Sequence, residues 1–365
     1  MEEKIKNKRE SNIELLRIIC ILLIIIHHIA IHGIKPQLEN TNLFQPGQMF
    51  NNFVFYKRLI FLDFAASFGK IANNIFILIS GYFLCEKVEF KLSKQLKKIL
   101  GQVFFATLLL MIVSTLYAKF IDTSYTSVLS LTIFNDEWTF IGYYLCIIIL
   151  GRIFINKAVQ QLDQTKYAEL LLSLFAIISL TFTRGVLFSI SQHLVILVTG
   201  IFMYCLGGYI KKYDLFKNVK IFTILLIIVV TAIIMAISYK SATINNIKST
   251  MQQGVPQYHQ SISLYEEYRL PCIVLAVSTF ELFRRMKIKN NSVINYLANA
   301  TFMAFLMHDN EFIRTQFRKI AWIEPYHDNI KIFMGMVLVA MLATYAFGVA
   351  SYFIYKISTK KINNS

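Results

Sequence analysis

Long apolar runs recur along this chain, and they restrict its fold more than any other feature. Ten can be drawn, at about 13–34, 60–85, 99–118, 138–156, 167–183, 191–210, 219–239, 269–285, 293–313 and 330–355. At a rise of about 1.5 Å per residue, ~20 apolar residues cross the ~30 Å hydrocarbon layer of a bilayer. The fifth run is short, and the second and ninth carry polar residues. Ten spans and their connections use the whole 365-residue chain. The predicted fold is therefore all-α: a polytopic membrane helical bundle of about ten transmembrane helices. It is expected to be a single integral-membrane domain over 1–365 with no appended soluble domain. Composition agrees. The chain is 56% apolar and 16% charged, against about 45–50% and about 25% for a soluble domain. That excludes a cytosolic enzyme, a disordered chain and a secreted disulfide scaffold.

Charge placement tests the span count. Cytoplasmic loops of membrane proteins carry an excess of Lys and Arg. With the N-terminus inside, the inside positions hold 23 cations and the outside loops 10. Each inside loop then has at least three, from Lys4, Lys6, Lys8 and Arg9 at one end to Lys356, Lys360 and Lys361 at the other. The split predicts that both termini are cytoplasmic. It also accounts for the net charge of +16 without nucleic acid. Arg17, Lys70, Arg269 and Lys331 lie inside or at the edge of spans. Two outside loops are predicted to be long, about 35–59 and about 240–268. The second holds Gly254, Pro256, Tyr258, His259, Glu266 and Glu267. The five cysteines are widely spaced, with no CxxC pair or Cys/His cluster, so neither disulfides nor a metal site is expected. The first apolar run lacks a small-residue cleavage site and reads as an anchor rather than a signal peptide.

Ionisable groups inside a span are costly and are functional candidates by default. The first run has the densest set: Glu14, Arg17, His27, His28 and His32. Eleven steps of about 100° come within about 20° of three turns, so Arg17 and His28 share a helix face about 16 Å apart. Glu14, three residues before Arg17, and His32, four after His28, extend that stripe. The plainer reading is an interfacial ion pair with packed histidines. The second run ends with Asn73, Asn74, Ser80, Gly81 and Tyr82, which suit either close helix packing or chemistry. Trp138, with Phe140, Tyr143 and Tyr144, opens the fourth run as an interfacial belt would. The ninth contains His308 and Asp309, followed by Arg314. A His–Asp pair near a membrane surface could be catalytic, ligand-binding or an interfacial network. On these residues alone an enzyme and a proton-coupled transporter fit equally, because intramembrane Arg, Glu and His also suit a proton relay.

The motifs taken in order add more. Arg17-x(10)-His28 resembles the first-span signature of the acyltransferase-3 family of multi-spanning membrane acyltransferases. NNIFILISGYFL at 73–84 is similar to the family's second-span end. WTFIGYYLCIIILGRIFIN at 138–156 is similar to its aromatic fourth span, and CLGGYIKKY at 205–213 to its mid-chain pattern. LANATFMAFLMHDNEFIR at 297–314 resembles its late element, in the variant with Asp-Asn and Arg after the histidine. The resemblance covers nearly the whole chain. It implies a membrane O-acyltransferase that moves an acyl group, expected to be acetyl, from cytoplasmic acyl-CoA. The implied acceptor is a hydroxyl of a cell-envelope or capsular polysaccharide or its lipid-linked precursor. A glycan flippase or proton-coupled secondary transporter is the alternative.

On this resemblance the catalytic candidates are His28, Arg17, His308 and Asp309. Neutral His28 can take the hydroxyl proton. Ser80, Tyr82, Asn73 or Asn74 can donate to the developing oxyanion. Arg17, Lys94, Lys97 and Lys98 can hold the phosphates of acetyl-CoA. Glu14, Trp138 and Arg314 complete the candidate set. No metal is predicted. The expected setting is a bacterial-type plasma membrane, multi-pass, with the lipid bilayer and a surface glycan as partners, and homo-oligomerisation is left open. Two departures from the family pattern stand out. Lys94-Gln-Leu-Lys97-Lys98 replaces a common Arg-x-x-Arg pair, which loses the planar fork for phosphate. Phe305 replaces the usual Tyr.

Overall fold

The structure is a computed structural model and describes residues 9–34, 53–87, 92–123, 138–180, 186–253, 266–320 and 329–362. The cations Lys4, Lys6, Lys8, Lys35, Lys91 and Arg184, and the stretch with Gly254, Pro256, Tyr258 and His259, lie outside these residues. Among the described residues every regular element is helical. Six helices come first: α1 (Ser11–Ile34), α2 (Phe53–Leu84), α3 (Leu92–Phe120), α4 (Thr139–Gln160), α5 (Gln164–Ser179) and α6 (Val186–Tyr213). Then follow α7 (Ile221–Gln253), α8 (Leu270–Arg285), α9 (Ser292–Asn299), α10 (Thr301–His308), α11 (Glu311–Ile320) and α12 (Ile330–Ile362). The last turns of α1, from Ile29 to Ile34, widen to π geometry.

Seven of these, α1, α2, α3, α4, α6, α7 and α12, contain stretches long and apolar enough to cross a membrane. The other three expected spans take different forms. α5 and α8 have 16 residues each, about 24 Å at the helical rise. The ninth run is not one helix. Ala300 separates α9 from α10, and Asp309, at φ −105° and ψ 80°, separates α10 from α11. Asn310 builds the second break. Its side-chain oxygen accepts the Ile313 N–H at 3.0 Å, capping α11, while its amide donates to the Met307 carbonyl at 2.9 Å. The two connections expected to be long are also shorter than predicted, because α2 already begins at Phe53 and α7 continues to Gln253. No Gly or Pro interrupts 221–253, so the polar stretch after Tyr239 stays helical through Gln253.

α2 is the central element and packs against α1, α6, α7 and α8. Its crossing with α6 depends on glycine. A Cβ at Gly81 would stand 1.9 Å from the Tyr204 carbonyl oxygen, and one at Gly207 would stand 2.3 Å from that of Leu78. The small residues of both motifs are therefore packing devices. Phe222, Leu226, Val229, Ile233 and Ile237 of α7 recur at helical spacing and are all exposed, as a lipid-facing stripe must be. Several polar groups buried in the bundle are paired across or along helices. Glu281 receives hydrogen bonds from Arg284 and Arg285, and Thr243 of α7 donates to Asp63 of α2.

Candidate active site

The break between α10 and α11 brings the late motif onto α1. His28 Nδ1 lies 3.2 Å from Asp309 Oδ1, out of line for a straight hydrogen bond. The same oxygen accepts from Arg314 Nη2 at 2.8 Å and Nε at 3.2 Å. Asp309 and Arg314 are both buried. A carboxylate facing Nδ1 favours the tautomer with its proton there, which leaves the lone pair on Nε2. The His308 ring stacks on His28 with centroids 4.8 Å apart. Its Nδ1 donates to the Phe305 carbonyl at 2.7 Å, so in the neutral ring Nε2 carries the lone pair. That atom is buried with no hydrogen-bond partner among the described residues. His32 packs edge-on against His28 at 5.2 Å. His27 is anchored elsewhere, its Nδ1 donating to the Ala66 carbonyl on α2.

Two cavities adjoin this part of the bundle. The larger, about 590 Å³, is lined by four cations, Arg9, Arg17, Lys94 and Lys98, together with Ser80 and Tyr144. Arg17 reaches both Glu14 carboxylate oxygens at 3.4 Å and lies over the Phe83 ring. Arg9 bonds Asn299 at 2.7 Å. Lys97 is exposed and is not part of this lining. The smaller cavity, about 240 Å³, is lined by His27, His28, Asp309, Lys70, Asn73, Tyr143 and Glu267. Phe140 and Phe305 line both cavities, with ring centroids 5.5 Å apart. They form a shared aromatic wall. The Arg17–His28 stripe is thus divided between two chambers.

The remaining candidates separate into donors already engaged and packing groups. Ser80 gives its proton to the Phe76 carbonyl at 2.9 Å, so the Tyr144 hydroxyl donates to Ser80 at 3.0 Å. Asn74 donates to the Glu267 carbonyl at 2.9 Å. Tyr82 packs on Phe280 beneath Lys211 and lines neither cavity. Trp138 is buried at the start of α4, outside both linings. Sequence reasoning missed Arg9, which it counted only as a topology charge. It also missed the pairing of Lys70 with Glu267 at 3.1 Å and with Glu266 at 3.7 Å. Burial raises the Glu266 pKa, opposed by the charge of Lys70. A lysine inside an apolar run was the available signal, since such a charge needs a partner.

His28, His308 and Asp309 bring their ligand atoms within 4.8 Å of one another, a donor set that metal ions also use. The geometry suits proton handling better. The two imidazole planes differ by only 23°, so their lone pairs lie in stacked, nearly parallel planes and not in one shared plane. Arg314 already supplies the positive charge on Asp309.

Fold and site together define a multi-pass helical membrane protein with a buried histidine–carboxylate–arginine centre at the smaller of two chambers that share an aromatic wall. The acyltransferase-3 family profile, described as an acyltransferase domain, matches residues 10–356. The chain belongs to this family of membrane acyltransferases. Neither a curated protein nor a solved structure matches it.

Proposed function

We propose that the protein transfers an acyl group, acetyl in the first instance, from acyl-CoA to a hydroxyl of a cell-envelope or capsular polysaccharide or its lipid-linked precursor. The observation that carries this reading is the pair of chambers meeting at one aromatic wall beside His28. The larger chamber holds the donor. Arg9, Arg17, Lys94 and Lys98 line it, and clustered cations suit the phosphates of acyl-CoA. The smaller chamber holds the acceptor beside His28 and Asp309. The acceptor oxygen attacks the thioester carbonyl at the level of Phe140 and Phe305, and its proton passes to His28 Nε2. The C–S bond then breaks and the CoA thiolate leaves. Asp309, itself held by Arg314, orients His28 and stabilises its charged form. Charge distribution supports ten crossings of a bacterial plasma membrane with both termini cytoplasmic. The donor chamber would then open to the cytoplasm.

The test is CoA release and ester formation on de-acylated glycan, with the full chain in lipid nanodiscs. His28→Ala is expected to abolish transfer at normal membrane levels, and His27→Ala to matter less, because His27 is tied to the α2 backbone. Equal activity of His28→Ala and the parent refutes the assignment.

A further inference from the structure

The smaller chamber contains a group that the transfer chemistry does not use. Glu267 is 6% exposed and lines the cavity with His28 and Asp309. Its Oε1 lies 3.1 Å from Lys70 Nζ, but its Oε2 is buried with no hydrogen-bond partner among the described residues. Leaving a carboxylate oxygen desolvated and unpaired is costly. Residue 267 does not sit there by looseness. Its backbone carbonyl is held by the Asn74 amide, which fixes it against α2.

We infer that Glu267 is an acceptor-recognition residue, and that its Oε2 receives a hydrogen bond from a second hydroxyl of the molecule being acylated. The inference rests on the reading of this cavity as the acceptor chamber. An ionised carboxylate oxygen only accepts hydrogen bonds, so its ligand must present a donor. On the acceptor reading of this chamber that donor is a second hydroxyl of the acceptor. The ligand must also present the hydroxyl that reaches His28. It is therefore a polyol. The chamber's 240 Å³ falls below the range of about 300–1,000 Å³ that drug-sized ligands occupy. That volume suits one sugar ring, whose C–H face can lie on Phe140 and Tyr143. Recognition of a neighbouring hydroxyl would select the position on the ring that is acylated.

The experiment uses the full chain in nanodiscs with acetyl-CoA. The acceptors are methyl gluco-, galacto- and mannopyranosides and their monodeoxy counterparts, and ester formation is read by mass spectrometry. The parent is expected to acylate at least one glycoside and to disfavour one of its deoxy analogues by about 10- to 100-fold in kcat/KM, as loss of a charge-assisted hydrogen bond implies. Glu267→Ala should bring that ratio close to one. If the alanine variant does not accumulate, Glu267→Gln, of the same volume, should reduce the ratio below about tenfold. A merely structural role would slow both acceptors alike and leave the ratio in place. An unchanged ratio in the variants overturns the inference. So does CoA release by the parent with no ester on any glycoside. Failure of the acyltransfer reading itself is distinguishable, because acetyl-CoA would then be left intact with every acceptor.

Discussion

Replacing Asp309 with Asn separates the chemistry of the site from its contribution to folding. In the structure one carboxylate oxygen serves two partners: it faces His28 Nδ1 at 3.2 Å and accepts twice from Arg314. The amide keeps the shape but removes the charge. For catalysis, the loss of the group that orients the base should lower kcat by about 10²–10⁴, the worth of positioned general base catalysis. For stability, Arg314 loses the carboxylate that takes two of its hydrogen bonds in a buried setting. Breaking such a pair from one side costs about 3–5 kcal/mol. The double variant Asp309→Asn with Arg314→Met removes both charges together. Its stability should return to within about 1–2 kcal/mol of the parent, because a buried pair replaced as a unit is close to neutral. Its kcat should stay low. The assays are denaturant unfolding of the purified protein and single-turnover CoA release with acceptor present. If the double variant regains activity along with stability, Asp309 acts only through the fold. If Asp309→Asn keeps kcat within tenfold of the parent, it does not orient His28.

The donor site gives a second test. Arg17→Lys should weaken acetyl-CoA binding by about 1–3 kcal/mol, because lysine keeps charge but not the planar fork. Lys97→Ala should leave acetyl-CoA affinity unchanged, since Lys97 lies outside the larger cavity. Titration calorimetry with acetyl-CoA measures both, and equal affinity of Arg17→Lys, Arg17→Ala and the parent removes Arg17 from the donor site. At the aromatic wall, Phe305→Ala should raise the use of butyryl-CoA relative to acetyl-CoA by roughly tenfold or more, the usual worth of added methylene space in an apolar pocket. An unchanged chain-length profile would mean that the acyl group does not pass this ring. The proposed topology predicts that a single cysteine at position 261, in a cysteine-free background, reacts with a membrane-impermeant thiol reagent on intact cells. Labelling only after the membrane is broken refutes it.

Much of this protein could be read from local pattern, because a bilayer leaves few solutions for long apolar runs. The helical class and the candidacy of Arg17, His28, His308, Asp309 and Arg314 all follow from spacing and residue type. Sequence pattern alone did not separate residues that pack from residues that line a cavity. Gly81 suited either close packing or chemistry, and Gly207 lay in the mid-chain pattern; both let two backbones touch. Asn310 sits in the motif with His308 and Asp309 and caps a helix. Tyr82 and Lys97, equal candidates with Asn73 and Lys98 in sequence, line neither chamber. The tertiary structure decided what depends on elements distant along the chain. It set Asp309 against His28 across 281 positions and Glu267 against Lys70 across 197, and it closed Phe140 onto Phe305 to make the wall. Hydrophobic periodicity marks which face of a helix avoids lipid. It carries no information about which distant helix that face will meet, and a site made of such meetings exists only once the bundle has packed.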